Sequence, residues 1–202
     1  MKIAVYGATG MIGSRVVAEA LARDHKVTGI TRTGGDLPAG VDAVQGSAGD
    51  AAFAARIAGD ADVVVSAIGP SRTGGDRREY LAHLRTLVET LGGARLLVVG
   101  GAGSLVIDGK RLVDQPEFPD IYKPEALVAA EALDYFRTLG DDVDWTFVSP
   151  APVIQPGERT GVYTLGADSP VGDSVSAEDF AVALLDEIEK PAHRRRRFTL
   201  AN

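Results

Sequence analysis

The 202-residue chain contains no cysteine. This excludes disulfide bonds, thiol nucleophiles and thiolate metal ligands, and it suits a reducing compartment. No apolar run approaches the roughly 20 residues that a helix needs to cross a bilayer, and the N-terminus shows no pattern of a cleavable signal. The sequence therefore predicts a soluble, cytoplasmic protein with no metal site and no membrane partner.

The chain also lacks an excess of positive charge, since its formal net charge is −7. This balance argues against a nucleic-acid surface. The run Arg194 to Arg197 is the exception. Such a run beside a terminal strand is typical of a solvated edge or a subunit contact. We therefore expect no nucleic-acid partner, and a monomer and a homodimer both stay open.

No internal repeat, low-complexity segment or linker divides the chain, so residues 1–202 are expected to form one domain. Short apolar runs alternate with segments of helical periodicity. One run is nearly all β-branched, as in a strand buried on both faces of a parallel sheet. The predicted strands are Ile3–Tyr6, Lys26–Thr31, Val41–Gln45, Asp62–Ala67, Leu96–Val99, Asp144–Val148, Tyr163–Leu165 and Arg197–Ala201.

The most informative stretch is MKIAVYGATGMIG, Met1 to Gly13, in which a short strand leads through three glycines into a helix. Gly7 allows a tight turn, Gly10 lets the backbone approach a pyrophosphate, and Gly13 lets helix and strand pack closely. The helix start then presents N–H groups to phosphates. A turn without a ligand is the alternative. We predict a dinucleotide site whose first contacts are Gly7, Ala8, Thr9, Gly10, Met11, Ile12 and Gly13.

The end of the second strand predicts which dinucleotide binds. NAD-binding versions of such a site place a carboxylate here, whereas an Arg can pair with the 2′-phosphate of NADP. The chain has Thr31, Arg32 and Thr33 at this point. NADP(H) is therefore expected in preference to NAD(H). The remaining predicted cofactor contacts follow the later strands and are Gly46, Ser47, Ala67, Ile68, Gly69, Gly100, Gly101, Ser149, Pro150 and Ala151.

Three segments are candidates for the acceptor side of the site. Small residues after the fifth strand leave room for a flat ring, and Ser104 is the first hydroxyl there. Residues 105–121 form a long irregular loop, interpreted as a wall of the site. It ends at Tyr122 and Lys123, which are candidate catalytic donors, or else a helix cap and a surface charge. Residues 71–76 are expected to form a mobile rim.

A proton-donating tyrosine of the usual dehydrogenase kind is missing. Such enzymes pair a Tyr with a Lys four residues later, but the residues four places after the five tyrosines are Gly10, Leu84, Ala126, Leu139 and Ala167. Alcohol dehydrogenation by that mechanism is disfavoured. Hydride transfer to a stacked flavin does not need this Tyr–Lys pair, because the cofactor carries the chemistry and the protein orients it. His83, inside a predicted helix, is expected to be exposed or capped rather than catalytic.

Several segments together resemble a known family: YGATGMIGSRVV, ITR, VVGGAGSL, LDYFR, VDWTFVSPAP, GERTGVYTLG and RRFTL. They are similar to atypical short-chain dehydrogenases/reductases of the NAD(P)H-binding group, which includes NADH-flavin reductases, biliverdin reductase-like enzymes and NmrA-like regulators. The resemblance covers nearly the whole chain. It implies an α/β fold of Rossmann type, with a doubly wound, mostly parallel sheet, an NADP(H) site along the carboxyl edge, and a small substrate-side cap formed by residues 150–202.

Three functions stay open at this point. The first is NADPH-dependent reduction of a flat acceptor such as FMN, FAD or a quinone. The second is an NmrA-like protein that senses NADP(H) without chemistry, which the missing Tyr–Lys pair favours and the short C-terminal portion disfavours. The third is an NADP-dependent isomerase or reductase of a biosynthetic intermediate.

Overall fold

The computed structural model describes residues 1–71 and 75–202. The predicted rim, 71–76, therefore includes three residues that lie outside the described part. Twelve strands run through the described residues: β1 (Lys2–Tyr6), β2 (Lys26–Thr31), β3 (Val41–Gln45), β4 (Val63–Ser66), β5 (Arg95–Val99), β6 (Val106–Ile107), β7 (Lys110–Arg111), β8 (Trp145–Pro150), β9 (Val153–Gln155), β10 (Thr164–Gly166), β11 (Ser174–Ser176) and β12 (Arg196–Ala201).

Five α-helices and two short 3₁₀ turns connect these strands in the same residues. The helices are α1 (Met11–Ala22), α2 (Ala51–Asp60), α3 (Arg78–Thr90), α4 (Lys123–Arg137) and α5 (Ala177–Glu189), and the 3₁₀ turns are Ala102–Ser104 and Leu112–Asp114. None of the helices in the described part has the length and apolarity needed to cross a membrane.

Eight strands form the central sheet in the order β10-β12-β8-β5-β4-β1-β2-β3. Neighbouring strands pair in parallel, except that β10 is antiparallel to β12. From β1 the chain runs outward through β2 and β3, and then returns to β4 on the other side of β1. This reversal is the switch point at which doubly wound sheets bind ligands. The predicted Rossmann-like α/β fold is confirmed.

The sheet is covered on both faces, and each face has its own apolar core. Helices α1 and α5 pack on one face around Val16, Phe180 and Leu184. Helices α2, α3 and α4 pack on the other face around Leu84 and Phe136. The nearly continuous apolar character of the strands follows from this arrangement, because both faces exclude water.

The elements that follow β8 belong to two parts of the fold. Helix α5 and strands β10 and β12 belong to the main layers, while β9 and β11 form a separate two-stranded parallel sheet. Ser176 accepts a hydrogen bond from the Asp179 N–H and so caps α5, as its sequence predicts. The assignment of residues 150–202 as a substrate-side cap stays a prediction.

The loop expected to be irregular contains short regular pieces. Residues 105–121 include the hairpin of β6 and β7 and the second 3₁₀ turn. Val106 N–H donates to the Asp168 carbonyl at 2.8 Å, which ties the loop to the edge of the central sheet beyond β10. The loop is therefore anchored at its start.

Candidate functional site

The glycine turn between β1 and α1 is built by close backbone approaches. Gly7 has φ of +77°, and a Cβ there would lie 2.8 Å from the Ala67 carbonyl oxygen. A Cβ on Gly13 would lie 2.0 Å from the Gly7 carbonyl oxygen. Neither position therefore accepts a side chain without backbone movement. Both roles are those the sequence predicts, a tight turn at Gly7 and helix–strand contact at Gly13.

The start of α1 is open for an anion. Thr9, Gly10 and Met11 are exposed. Gly10 is the N-cap, no side chain caps the helix, and its first turn contains no acidic residue. The first N–H groups of a helix have no partner within the helix and carry its positive dipole end. This arrangement fits the phosphates of a dinucleotide.

The adenosine end of the predicted site is formed by the ends of β2 and β3. Gly46 N–H donates to the Thr31 carbonyl at 2.9 Å, and Gln45 Nε2 donates to the Arg32 carbonyl at 3.1 Å. Arg32 and Thr33 are exposed, and Ser47 is half-buried. No ion pair engages Arg32 among the residues that the structure describes. Its guanidinium is therefore available to an anionic ligand.

His83, which the sequence predicts to be exposed or capped rather than catalytic, lies near this end. It is half-buried in α3, and its Cδ2 would be 2.7 Å from a Cβ on Gly49. The helical pattern places His83 beside the inward face, but only the fold shows that the turn after β3 lies against it. Burial, with the nearby charge of Arg32, lowers the pKa of His83, and Glu79 opposes this shift.

The end of β4 lies against the glycine turn at the middle of the site. Ala67 N–H donates to the Tyr6 carbonyl at 2.9 Å. Ala67 and Ile68 are half-buried and Gly69 is exposed. These three residues thus stand on the carboxyl edge next to Gly7, where the sequence predicts contact with the middle of the cofactor.

Small residues after β5, called the floor below, lie at the carboxyl edge of the sheet where the sequence predicts the nicotinamide end of the site. Gly100 N–H donates to the Val148 carbonyl at 2.9 Å, and a Cβ on Gly100 would lie 1.9 Å from the Phe147 ring. Gly101 has more room, because a Cβ there would touch only Ala129, at 3.4 Å. The glycines therefore let the chain after β5 lie directly on β8.

The predicted contacts at the end of β8 and directly after it are more enclosed than those after β5. Ser149, Pro150 and Ala151 are all buried. Ser149 is fully shielded from solvent and Ala151 is 1% exposed. They support the floor from the neighbouring strand, and their direct contact with a cofactor stays a prediction.

Ser104 is held from inside the fold. It is 6% exposed, and its Oγ accepts a hydrogen bond from Arg197 Nη1 at 3.1 Å. The same Nη1 lies 3.5 Å from Ser149 Oγ, and Arg197 is ion-paired with Asp168. One buried guanidinium therefore links the loop after β5 to the end of β8. Ser104 therefore follows the floor in the chain, with its side chain largely buried.

The arginine run was interpreted from sequence as a solvated edge or a subunit contact. That interpretation agrees with the exposure of Arg194 and Arg195, whose side chains are 55% and 48% exposed. It is wrong for Arg197, whose side chain is 1% exposed. The available signal was the strand itself, because a strand covered on both faces buries consecutive residues, and the residues of β12 from Arg197 onward are all buried.

Tyr122 and Lys123 stand apart from this buried group. Tyr122 is 59% exposed and precedes the first turn of α4, and Lys123 is half-buried. Neither side chain makes a hydrogen bond with the described residues. No hydrogen bond among the described residues connects Ser104 to either wall residue, and the catalytic roles of all three stay predictions.

The segment after β9 is fixed onto α1 and α5. Arg159 forms two hydrogen bonds to Glu19, at 2.7 and 2.8 Å, and Gly157 N–H donates to Glu178 at 2.8 Å. The hydrogen bond from Arg159 is the main cause of a lowered Glu19 pKa.

In the described part of the chain, no cluster of three or more His, Asp or Glu residues could hold a metal ion.

Comparison with protein families gives one match that spans most of the chain. The model of the family described as NAD(P)H-binding matches residues 7–191. The matched range begins at Gly7 and includes every candidate residue discussed above except Arg197. It also includes both predicted ends of the cofactor site.

Three solved structures are similar over essentially their whole length. A "putative exported protein" from Burkholderia pseudomallei is 43% identical, with a TM-score of 0.88 and complete coverage of both chains. A "putative NADH-flavin reductase" from Streptococcus pneumoniae is 35% identical, with a TM-score of 0.88, covering 100% of this chain and 99% of that one. A "putative epimerase" from Bacteroides thetaiotaomicron is 33% identical, with a TM-score of 0.88, covering 99% and 96%.

Proposed function

Because the chain belongs to the NAD(P)H-binding family, we propose that it is an NADPH-dependent reductase of a flat conjugated acceptor, with FMN and FAD as the first candidates. The observation that carries this proposal is the floor after β5. Gly100 and Gly101 place backbone where most dehydrogenases need side chains, and the sequence has no Tyr–Lys donor pair. Such a floor suits a stacked ring better than a small alcohol.

Different residues of the proposed site bind different parts of NADPH. The open start of α1 takes the pyrophosphate, and Arg32 pairs with the 2′-phosphate. When bound, NADPH supplies a hydride to the flavin ring as the nicotinamide C–H bond breaks, and water supplies the accompanying proton. The protein then has to hold two rings in contact and exclude water between them. It need not supply an acid.

Ser104 has one assigned role in this proposal. Its Oγ accepts from Arg197, so its own O–H can donate to a carbonyl oxygen of the acceptor. Tyr122 and Lys123 are proposed as further donors from the loop wall. The substitution Ser104→Ala, with Ser47→Ala as the control at the adenosine end, tests this role through the KM for the acceptor.

The direct test of the reductase proposal is NADPH oxidation by purified protein. FMN, FAD, riboflavin and a quinone serve as separate acceptors, and NADH is run beside NADPH. We expect turnover with a flavin and a preference for NADPH. Tight binding of NADPH with no reduction of any acceptor would contradict the reductase proposal and support an NADP(H)-sensing protein.

An NADP-dependent isomerase is the second candidate, favoured by the 33% identity to a structure named as an epimerase. An isomerase would keep its cofactor through many turnovers, so purified protein would carry bound nicotinamide and show no net oxidation of NADPH.

The reductase proposal also implies a cytoplasmic location, where NADPH is present. Fractionation of the native cells tests that location.

A further inference from the structure

The turn after β3 and the middle of α3 meet at the adenosine end of the site. A Cβ on Gly49 would lie 2.7 Å from His83 Cδ2 and 2.9 Å from Nε2. The imidazole edge therefore rests on the Gly49 backbone. Ser47 Oγ accepts a hydrogen bond from Gly49 N–H at 3.1 Å, which fixes the turn. His83 is thus held beside Ser47, a predicted adenosine contact.

Arg32 follows β2 at the same end of the sheet, and its backbone is joined to the end of β3. Two hydrogen bonds join the ends of β2 and β3, from Gly46 N–H to Thr31 and from Gln45 to the Arg32 carbonyl. The guanidinium charge acts on His83, and together with burial it lowers the pKa of the imidazole. Glu79, one turn earlier on α3, acts in the opposite direction. Without a ligand, this lowered pKa favours the neutral imidazole.

A dianion placed between Arg32 and His83 would reverse this balance. Its charge would stabilise the imidazolium, which is a donor at both ring nitrogens. Resting on the proposed preference for NADPH, we propose that His83 is a second ligand of the adenosine 2′-phosphate and takes up a proton when that phosphate binds. NADH, which carries a hydroxyl at this position, gains nothing from the same proton.

Calorimetry of cofactor binding in two buffers of different ionisation enthalpy measures the proton directly. At pH 7 we expect the wild-type protein to take up protons with NADPH and none with NADH. The 2′-phosphate itself has a second pKa near 6, so pairing it with Arg32 releases a small fraction of a proton, an effect of opposite sign. His83→Asn should abolish the uptake and weaken NADPH binding about tenfold, while NADH binding is unchanged.

A second variant changes the position of the His83 imidazole without replacing it. Gly49→Ala places a methyl group 2.7 Å from the imidazole without touching Arg32. Because Gly49 does not have a positive φ, the backbone accepts alanine, and the ring must move instead. We expect a loss of NADPH affinity in the same direction as for His83→Asn. His25→Asn, on a histidine paired with Glu189, is the matched control and should leave both cofactors unaffected.

The outcomes separate this inference from the proposal on which it rests. A wild-type protein that binds NADPH and NADH equally would overturn the cofactor preference and this inference together. A wild-type protein that prefers NADPH, with His83→Asn folded and unchanged in affinity and proton uptake, would overturn the inference alone. If His83→Asn fails to fold, unchanged proton uptake in Gly49→Ala would overturn it.

Discussion

The two ends of the central sheet use charge in opposite ways. At the amino end, Arg95 and Glu187 are 5% and 4% exposed and hydrogen-bonded to each other. At the carboxyl end, Arg32 is exposed and has no carboxylate partner in the part of the chain that the structure describes. The satisfied charges stabilise the fold, whereas the unsatisfied charge is available to a ligand.

The amino-end cluster is held by several hydrogen bonds to protein groups, although Arg95 Nε and Asp144 Oδ1 are buried without a hydrogen-bond partner among the described residues. Glu187 accepts from His193 N–H at 2.9 Å and from His193 Nδ1 at 2.8 Å. Arg95 Nη1 donates to the Glu187 carbonyl at 2.8 Å, and Arg95 Nη2 also donates to Thr146 Oγ1 at 2.7 Å. The cluster ties α5 to β5 and β8.

The largest expected effect is at this cluster. Glu187→Ala leaves Arg95 buried without its carboxylate, and we expect the free energy of unfolding to fall by about 3–5 kcal/mol. Urea denaturation measures the loss. Arg194→Ala, which removes an exposed partner of Asp144, is the control and should cost less than about 1 kcal/mol. A similar small cost for Glu187→Ala would show that the cluster is not a stabilising one.

Substitution of Arg197 tests whether one buried charge both stabilises the fold and positions a residue of the candidate site. Arg197→Met removes the hydrogen bond to Ser104 and the ion pair with Asp168, and we expect a loss of stability of about 2 kcal/mol. Because Arg197 holds Ser104, the proposed donor to the acceptor, the KM for a flavin acceptor should also rise, and Arg197→Lys should recover part of it. Loss of stability with an unchanged KM would make Arg197 a structural residue only.

At the carboxyl end, Arg32→Asp should act on binding and leave folding intact. It replaces a charge-assisted hydrogen bond with repulsion, so NADPH binding should weaken by at least about 2 kcal/mol while NADH binding is spared. Calorimetry with both cofactors measures the difference. Equal losses for the two cofactors would contradict the assignment of Arg32 to the 2′-phosphate.

The smallest effect is the acid dependence of stability. Burial would raise the pKa of Glu187, but hydrogen bonds from His193 and Arg95 prevail and hold it below its usual 4.5. A lowered folded-state pKa contributes stability that is complete above the unfolded value and is lost as the pH falls through the folded value. Glu187→Gln should therefore flatten the decline in stability below about pH 4.5. If the decline in stability at acid pH were the same in Glu187→Gln as in the wild type, Glu187 would not be its cause.

The sequence predicted the parts of the fold that neighbouring residues decide. The glycine turn, the strands at its flanks and the Ser176 cap each depend on a few adjacent residues and were predicted close to their observed bounds. Tertiary pairs were not predicted. Arg197 reaches Ser104 across 93 residues, and His83 meets Gly49 only because α3 packs beside the turn after β3. No local pattern contains either contact.

The reductase proposal is tested by a single turnover without oxygen, in which the protein is mixed with NADPH and FMN. We expect the flavin absorbance to fall in step with NADPH oxidation, one for one, and faster than in the same mixture without protein. We also expect a slower reaction with Arg32→Asp at limiting NADPH. Binding of NADPH with flavin reduction no faster than in buffer would contradict the claim that this sheet edge is a reductase site.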